Sequence, residues 1–192
     1  VFRRDGTLGE VEVPPGSYRV RNLHLDRETE TAAVVELNFF GEGVSEELGE
    51  VLAGLPPGSG LVLDLRDNEG GMLEEAIECA GFFLESGATV LQRVSITGET
   101  ELVRMDTPRI WEEEIVLLVN RGTGGPAEAF VSALQAHGSA RVLGTRTSGN
   151  SGLPSFHPLE TGLVLQLIDE IMKGPFGSAW SGGGLDPDVV IE

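Results

Sequence analysis

Cysteine and basic side chains are scarce in this sequence of 192 residues, and each shortage excludes a class of protein. The single cysteine, Cys79, rules out an internal disulfide, and its place in an apolar helical pattern predicts a buried thiol. Lys and Arg number 13 against 31 Asp and Glu, which gives a net charge of -18. Because this charge repels nucleic acid and anionic membrane surfaces, we expect a neutral or basic partner.

Long apolar runs, sequence repeats and metal-ligand spacings are also missing. No run approaches the length of a membrane span. The three histidines, His24, His137 and His157, are scattered, so no metal site is predicted. The length fits one domain, or one domain plus a fragment. Since the sequence starts at Val1 without a methionine or a signal-like region, we expect a piece of a longer protein.

Strand and helix patterns alternate along the chain. Ser45 is expected to cap the first helix and Pro126 to open the third. Residues 1–13 alternate as a terminal hairpin. The other predicted strands are 31–39, 60–65, 89–96, 101–105, 115–119, 141–144 and 163–168, and the predicted helices are 45–55, 71–84 and 126–137. This alternation predicts an α/β domain with a largely parallel sheet.

Residues 61–71, LVLDLRDNEGG, resemble the LVLDLRxNxGG motif of the tail-specific, or C-terminal processing, serine proteases. Residues 116–120 with Glu128, 133–138, 142–149 and 184–190 follow that family's order and spacing. The resemblance implies a crotonase/ClpP-like β-α superhelical core over residues 19–192. It also implies that residues 1–18 are an N-terminal β segment resembling the end of a PDZ domain, and that the protein is periplasmic or otherwise extracytoplasmic.

The resemblance also assigns catalytic positions whose reactive groups are missing. The family uses a serine nucleophile and a lysine base, and those positions are Gly125 and Asn150 here. The assisting carboxylate would fall at Ala136. The residue after the nucleophile normally donates an oxyanion N–H, and here it is Pro126, which has none. The resemblance therefore implies a catalytically degenerate member, similar in that respect to interphotoreceptor retinoid-binding protein.

Two functions of different class follow from this resemblance. The first is a binding or scaffolding module for a peptide, a protein C-terminus or an apolar small ligand. The second is a residual serine-type endopeptidase that cleaves protein C-termini with displaced hydroxyls. Expected binding residues, at the carboxyl ends of parallel strands, are Gly70, Gly71, Thr123 and Gly124. Candidate displaced hydroxyls are Thr123, Ser148 and Ser151.

Two local patterns favour other chemistries. Gly122, Gly124 and Ala127 fit the dinucleotide fingerprint G-x-G-x-x-A, with Arg146 where a cofactor phosphate could be met. That fingerprint also requires an acidic residue after the second strand, and none is present here. No cofactor is therefore predicted. Residues 149–154, GNSGLP, echo a loop of chymotrypsin-like proteases, but that fold is nearly all β and lacks long amphipathic helices.

Overall fold

The computed structural model describes residues 21–28 and 31–191, so the expected N-terminal segment 1–18 lies outside the described residues. The strands are β1 Leu23–Glu28, β2 Ala32–Leu37, β3 Gly60–Asp64, β4 Thr89–Ser95, β5 Thr100–Arg104, β6 Ile115–Val119, β7 Arg141–Gly144, β8 Gly152–Pro158, β9 Val164–Lys173 and β10 Val189–Val190. The helices are α1 Val44–Gly54, α2 Leu73–Gly81 and α3 Pro126–Ala136. None of the described helices has the length and apolar content needed to cross a membrane.

A six-stranded sheet carries the fold, in the order β1-β2-β3-β6-β7-β10. Five of its strands run parallel, and β1 pairs antiparallel with β2 at one edge. In β6 the side chains of Ile115, Leu117 and Val119 are buried, and the residues between them are partly buried. Strands covered on both faces read as continuous apolar runs, which explains this sequence pattern. The predicted α/β fold with a parallel sheet is confirmed.

Aromatic rings join the helices into one core. Phe130 of α3 lies 5.6 Å from Phe40 and 6.1 Å from Phe83, measured between ring centroids. Every residue of α3 from 127 to 134 is buried, so this helix is central. Cys79 of α2 is fully buried in the same core, as predicted, and burial raises the pKa of its thiol.

The start of α1 differs from the prediction. Ser45 lies inside the helix, and the N-cap residue is Gly43, with a φ of 81°. The Glu75 carboxylate on α2 accepts hydrogen bonds from the backbone N–H groups of Gly43 at 2.7 Å and of Ser45 at 2.9 Å. A carboxylate distant in sequence thus satisfies the free N–H groups that a local cap would otherwise bond.

A second sheet is antiparallel, in the order β5-β4-β9-β8. The predicted hairpin of β4 and β5 is confirmed. The predicted strand 163–168 is longer than expected, because β9 continues to Lys173 and pairs with β4. Strand β8 was not predicted from the sequence, since Pro154 and Pro158 interrupt its pattern.

Candidate functional site

Three loops meet where the parallel strands β3, β6 and β7 end. The Gly124 N–H donates to the Asn68 carbonyl oxygen at 2.9 Å, which joins the loop after β6 to the loop after β3. The Ser148 N–H donates to the Thr123 carbonyl oxygen, also at 2.9 Å, which adds the loop after β7. Open α/β sheets bind ligands at this carboxyl end of their strands. The loops therefore form the candidate site.

Gly125 occupies the turn between the loop after β6 and helix α3. Its φ of 56° and ψ of -129° are readily adopted by glycine and cost other residues strain. A Cβ atom at this position would lie 3.2 Å from the Glu69 carbonyl oxygen and 4.0 Å from Nδ2 of Asn150. The two positions that the resemblance assigned to nucleophile and base therefore face each other, although neither carries a group for that chemistry.

The Glu128 carboxylate holds the loop that carries Asn150. It is fully buried in the first turn of α3. It accepts hydrogen bonds from the backbone N–H groups of Gly149 and Asn150, both at 2.8 Å. The hydroxyl of Thr147 donates to it at 2.5 Å and that of Ser148 at 3.3 Å. Four donors compensate a buried charge that has no basic partner among the described residues.

The position that the resemblance assigns to an assisting carboxylate lies away from Gly125 and Asn150. Ala136 is exposed at the last turn of α3. A helix rises about 1.5 Å per residue, so Ala136 lies roughly 12 Å along the axis from Glu128 in the first turn. The carboxylate beside Gly125 and Asn150 is Glu128, which sequence reasoning used only to mark spacing. An acidic residue following Gly125-Pro126 in the first turn is the signal that could have identified it.

Backbone groups define the other side of the site. Pro126 opens α3 and has no N–H to offer at the helix terminus. The Gly70 N–H donates to Oδ1 of Asn68 at 2.9 Å and is not available to a ligand. The exposed Gly71 N–H has no acceptor among the described residues. Gly71 is thus the glycine of this pair whose N–H could hold a ligand oxygen.

The candidate hydroxyls differ in their access to solvent. Thr123 is fully buried, and its hydroxyl donates to the Leu65 carbonyl oxygen at 2.7 Å. Ser151 is 2% exposed. Ser148 is exposed and lies beside Gly124, where an added Cβ would come within 2.6 Å of the serine Oγ. Of the three, Ser148 alone can meet a substrate.

The glycine turn after β6 faces an acidic side chain, which would repel a pyrophosphate. An added Cβ at Gly122 would meet the Asp67 carboxylate, so an acidic side chain already covers this turn. Arg146 forms an ion pair with Asp186 at 2.6 Å. The described residues contain no group of three His, Cys, Asp or Glu side chains that could hold a metal ion.

A polar depression of about 330 Å³ lies next to these loops. Asp64 and Arg66 in its wall pair at 2.5 Å, and the hydrogen bond and charge of Asp64 raise the pKa of the Arg66 guanidinium. The residues lining the depression are Glu36, Asn38, Asp64, Arg66, Asp67 and Asn120. An apolar ligand gains nothing from such walls, whereas a peptide backbone can form hydrogen bonds with them.

Known proteins are similar to this chain in sequence and in fold. The family model of peptidase family S41 matches residues 31–191. A probable CtpA-like serine protease of Staphylococcus aureus strain COL is 32% identical over 164 residues, which cover 83% of this chain and 33% of the relative. A carboxy-terminal-processing protease of Bartonella bacilliformis is 33% identical over 136 residues, covering 69% of this chain and 31% of the relative.

The solved structure of a photosystem II D1 C-terminal processing protease aligns with a TM-score of 0.79 and 21% sequence identity. The alignment covers 91% of this chain and 49% of that protein. The chain spans about a third of the length of the curated relatives it matches. At this level of identity, the structural likeness establishes a shared fold.

Proposed function

This chain belongs to peptidase family S41, the tail-specific proteases, and from that premise we propose that the domain binds an extended peptide or protein C-terminus without cleaving it. One observation carries the proposal. The turn before α3 holds Gly125, the side chain facing it is the Asn150 amide, and the next residue is Pro126. This arrangement provides neither a nucleophile nor a basic group, and it has one N–H fewer for an oxyanion.

Peptide binding is supported by groups that need no catalytic chemistry. The Gly71 N–H at the start of α2 can donate to a carbonyl or carboxylate oxygen. Phe39 and Met72, which are 42% and 45% exposed, lie beside it and offer apolar contact. The polar depression nearby favours a peptide over an apolar small molecule. These features fit an extended chain with one apolar side chain near its terminus.

A free strand edge offers a second support for peptide binding. The pairing of β9 with β4 ends at Glu170 opposite Ser95, and the Ile96 N–H then donates to the Asp169 carbonyl oxygen at 2.9 Å. Within the described residues, residues 164–168 of β9 pair with β8 along one edge and have no strand along the other edge. Such an edge can accept a peptide as an added strand.

A residual peptidase is the second candidate, because Ser148 is exposed and donates to the Glu128 carboxylate at 3.3 Å. The test is incubation with unfolded peptides and a serine-directed fluorophosphonate, with an active carboxy-terminal-processing protease as positive control. We expect neither cleavage nor labelling. Stoichiometric labelling that disappears in Ser148→Ala would establish the peptidase instead.

Restored activity provides a stricter test of the same assignment. The double variant Gly125→Ser with Asn150→Lys should remain a poor peptidase. Adding Pro126→Ala should raise its cleavage rate by a factor of about 10²–10³, since one oxyanion donor typically contributes that factor. The control is Asn150→Lys with Pro126→Ala, which has no serine at position 125 and should stay inactive. Full activity of the double variant while Pro126 remains would show that the oxyanion site lies elsewhere.

Binding is measured by titrating fluorescent C-terminal peptides. A substitution at Gly71 cannot be used to block the binding site. The φ of Gly71 is 129° and an added Cβ would collide with the Phe40 carbonyl oxygen, so any side chain there would strain the fold. Phe39→Arg is the better variant, with Phe176→Arg, 71% exposed and elsewhere on the surface, as its match. Phe39→Arg should weaken binding and the control should not. If no peptide binds, the binding role is refuted.

A further inference from the structure

The hairpin of β8 and β9 leaves its apolar side chains unusually exposed. Of the fifteen large apolar side chains that are exposed among the described residues, seven lie between Phe156 and Ile168. We call residues 154–168 the arm. Isolated two-stranded hairpins are marginally stable in water, and clustered exposed apolar side chains mark interaction surfaces. The arm therefore has the features of a surface that another molecule covers.

One face of the arm is the more apolar. Pairs directly opposite in an antiparallel register share a face, and alternate residues along a strand do the same. The pairs on this face are Pro154 with Ile168, Phe156 with Gln166 and Pro158 with Val164, and all six residues are exposed. We call these six residues the proline face. The opposite face carries Leu165 and Leu167 together with a hydrogen-bonded cluster of Ser155, His157 and Asp169.

The edge of β8 is a poor place for strand addition. Pro154 and Pro158 have no N–H, and proline is tolerated in a strand where that missing donor points away from the neighbouring strand. The outer edge of β8 therefore lacks two donors. Natural sheets use proline at edges to prevent pairing with other chains. A partner that approaches from the β8 side must consequently pack on the face of the arm, because strand addition remains open only at the free β9 edge of residues 164–168.

The charge distribution indicates which partner fits. The chain carries a net charge of -18, yet residues 152–168 contain Glu160 as their one acidic residue and no Lys or Arg. Two copies of this chain repel each other least where such uncharged segments meet. Two identical faces related by a two-fold axis also match each other in size and chemistry. We infer that the proline face is a self-association surface, on which the proline face of a second copy packs in a symmetric dimer.

The dimer is expected to be weak. Six residues from each copy are far fewer than the roughly 20–30 residues a side of a standard interface. Its salt dependence should be opposite to that of an interface held by ion pairs. Added salt screens the repulsion between the two acidic bodies and leaves the apolar contact intact, so association should strengthen as salt concentration rises.

Sedimentation analysis of the whole chain, from low to several hundred micromolar, tests the inference. Phe156→Arg, at a side chain 63% exposed, should raise the dissociation constant at least about tenfold, because the charge would be buried without a partner. Phe176→Arg, 71% exposed outside the arm, and Leu165→Arg, 43% exposed on the opposite face, are the controls and should stay within about twofold of the parent.

Three results would overturn the inference. The first is a chain that remains monomeric over the whole concentration range. This result includes the case in which residues 154–168 are protected from amide exchange at every concentration, because residues of the same chain would then cover the arm. The second is Leu165→Arg disrupting the dimer as strongly as Phe156→Arg. The third is association that weakens with added salt.

Discussion

Replacing Glu128 by glutamine tests whether this buried carboxylate holds the candidate site together. The carboxylate accepts the backbone N–H groups of Gly149 and Asn150, one on each oxygen. A glutamine amide has a single acceptor oxygen, so its NH2 group must face one of those donors and leave it unsatisfied. The unsatisfied donor costs about 1–3 kcal/mol, and loss of charge-assisted hydrogen bonding adds a similar amount.

Removing a buried charge also recovers part of its desolvation cost, so we expect Glu128→Gln to reduce the free energy of unfolding by about 3 kcal/mol. At 2–4 °C per kcal/mol for a chain of this size, the melting temperature should fall by about 10 °C. Calorimetry measures the fall, and amide exchange should accelerate at residues 149 and 150. The control is Glu50→Gln, at an exposed position in the middle of α1. A melting temperature within about 2 °C of that control would refute the reasoning.

Two further predictions concern α2. Because burial raises the pKa of Cys79, its thiol should resist a disulfide reagent at pH 8 until the protein unfolds, and rapid reaction in the native state would contradict its burial. Burial opposes ionisation of Glu75, but hydrogen bonds from Ser45 and Gly43 outweigh it and lower the carboxyl pKa. Glu75→Gln should therefore cost about 1 kcal/mol near neutral pH and progressively less as the pH falls below the normal carboxyl range, as measured by urea unfolding.

The sequence predicted the elements whose signals are local. Strands β6 and β7 match their predicted bounds because each is a short apolar run between turns. Features that depend on distant partners could not be predicted in this way. The cap of α1 comes from Glu75, which is 32 residues from Gly43, and no local pattern records that pairing. Strand β8 was not predicted because Pro154 and Pro158 argue against a strand in the sequence. Proline is nevertheless tolerated in an edge strand such as β8.

The candidate site shows the same division between local and distant signals. The motif located Gly125 and Asn150, and the structure brings the two positions together. It did not locate Glu128, because the resemblance assigned the assisting carboxylate to Ala136, although an acidic residue in the predicted first turn of α3 was a usable signal. Ala136 and Glu128 are both on α3, and the helix places them at opposite ends. The hydrogen bonds to residues 147–150 are made by Glu128, at the first turn.

Those bonds explain how such a site can keep its shape whatever residue stands at position 150. The Glu128 carboxylate accepts a hydrogen bond from the backbone N–H of Asn150, and this bond does not depend on the Asn150 side chain. The loops after β3 and β6 are likewise joined by backbone groups of Asn68 and Gly124. The conformation of the site is thus fixed by the Glu128 carboxylate, main-chain hydrogen bonds and glycine geometry, whereas the cleavage chemistry that the resemblance implies would need reactive side chains at positions 125 and 150. Under the proposed function, loss of those side chains removes the chemistry at little cost to the fold, and the surface beside Gly71 remains available for binding.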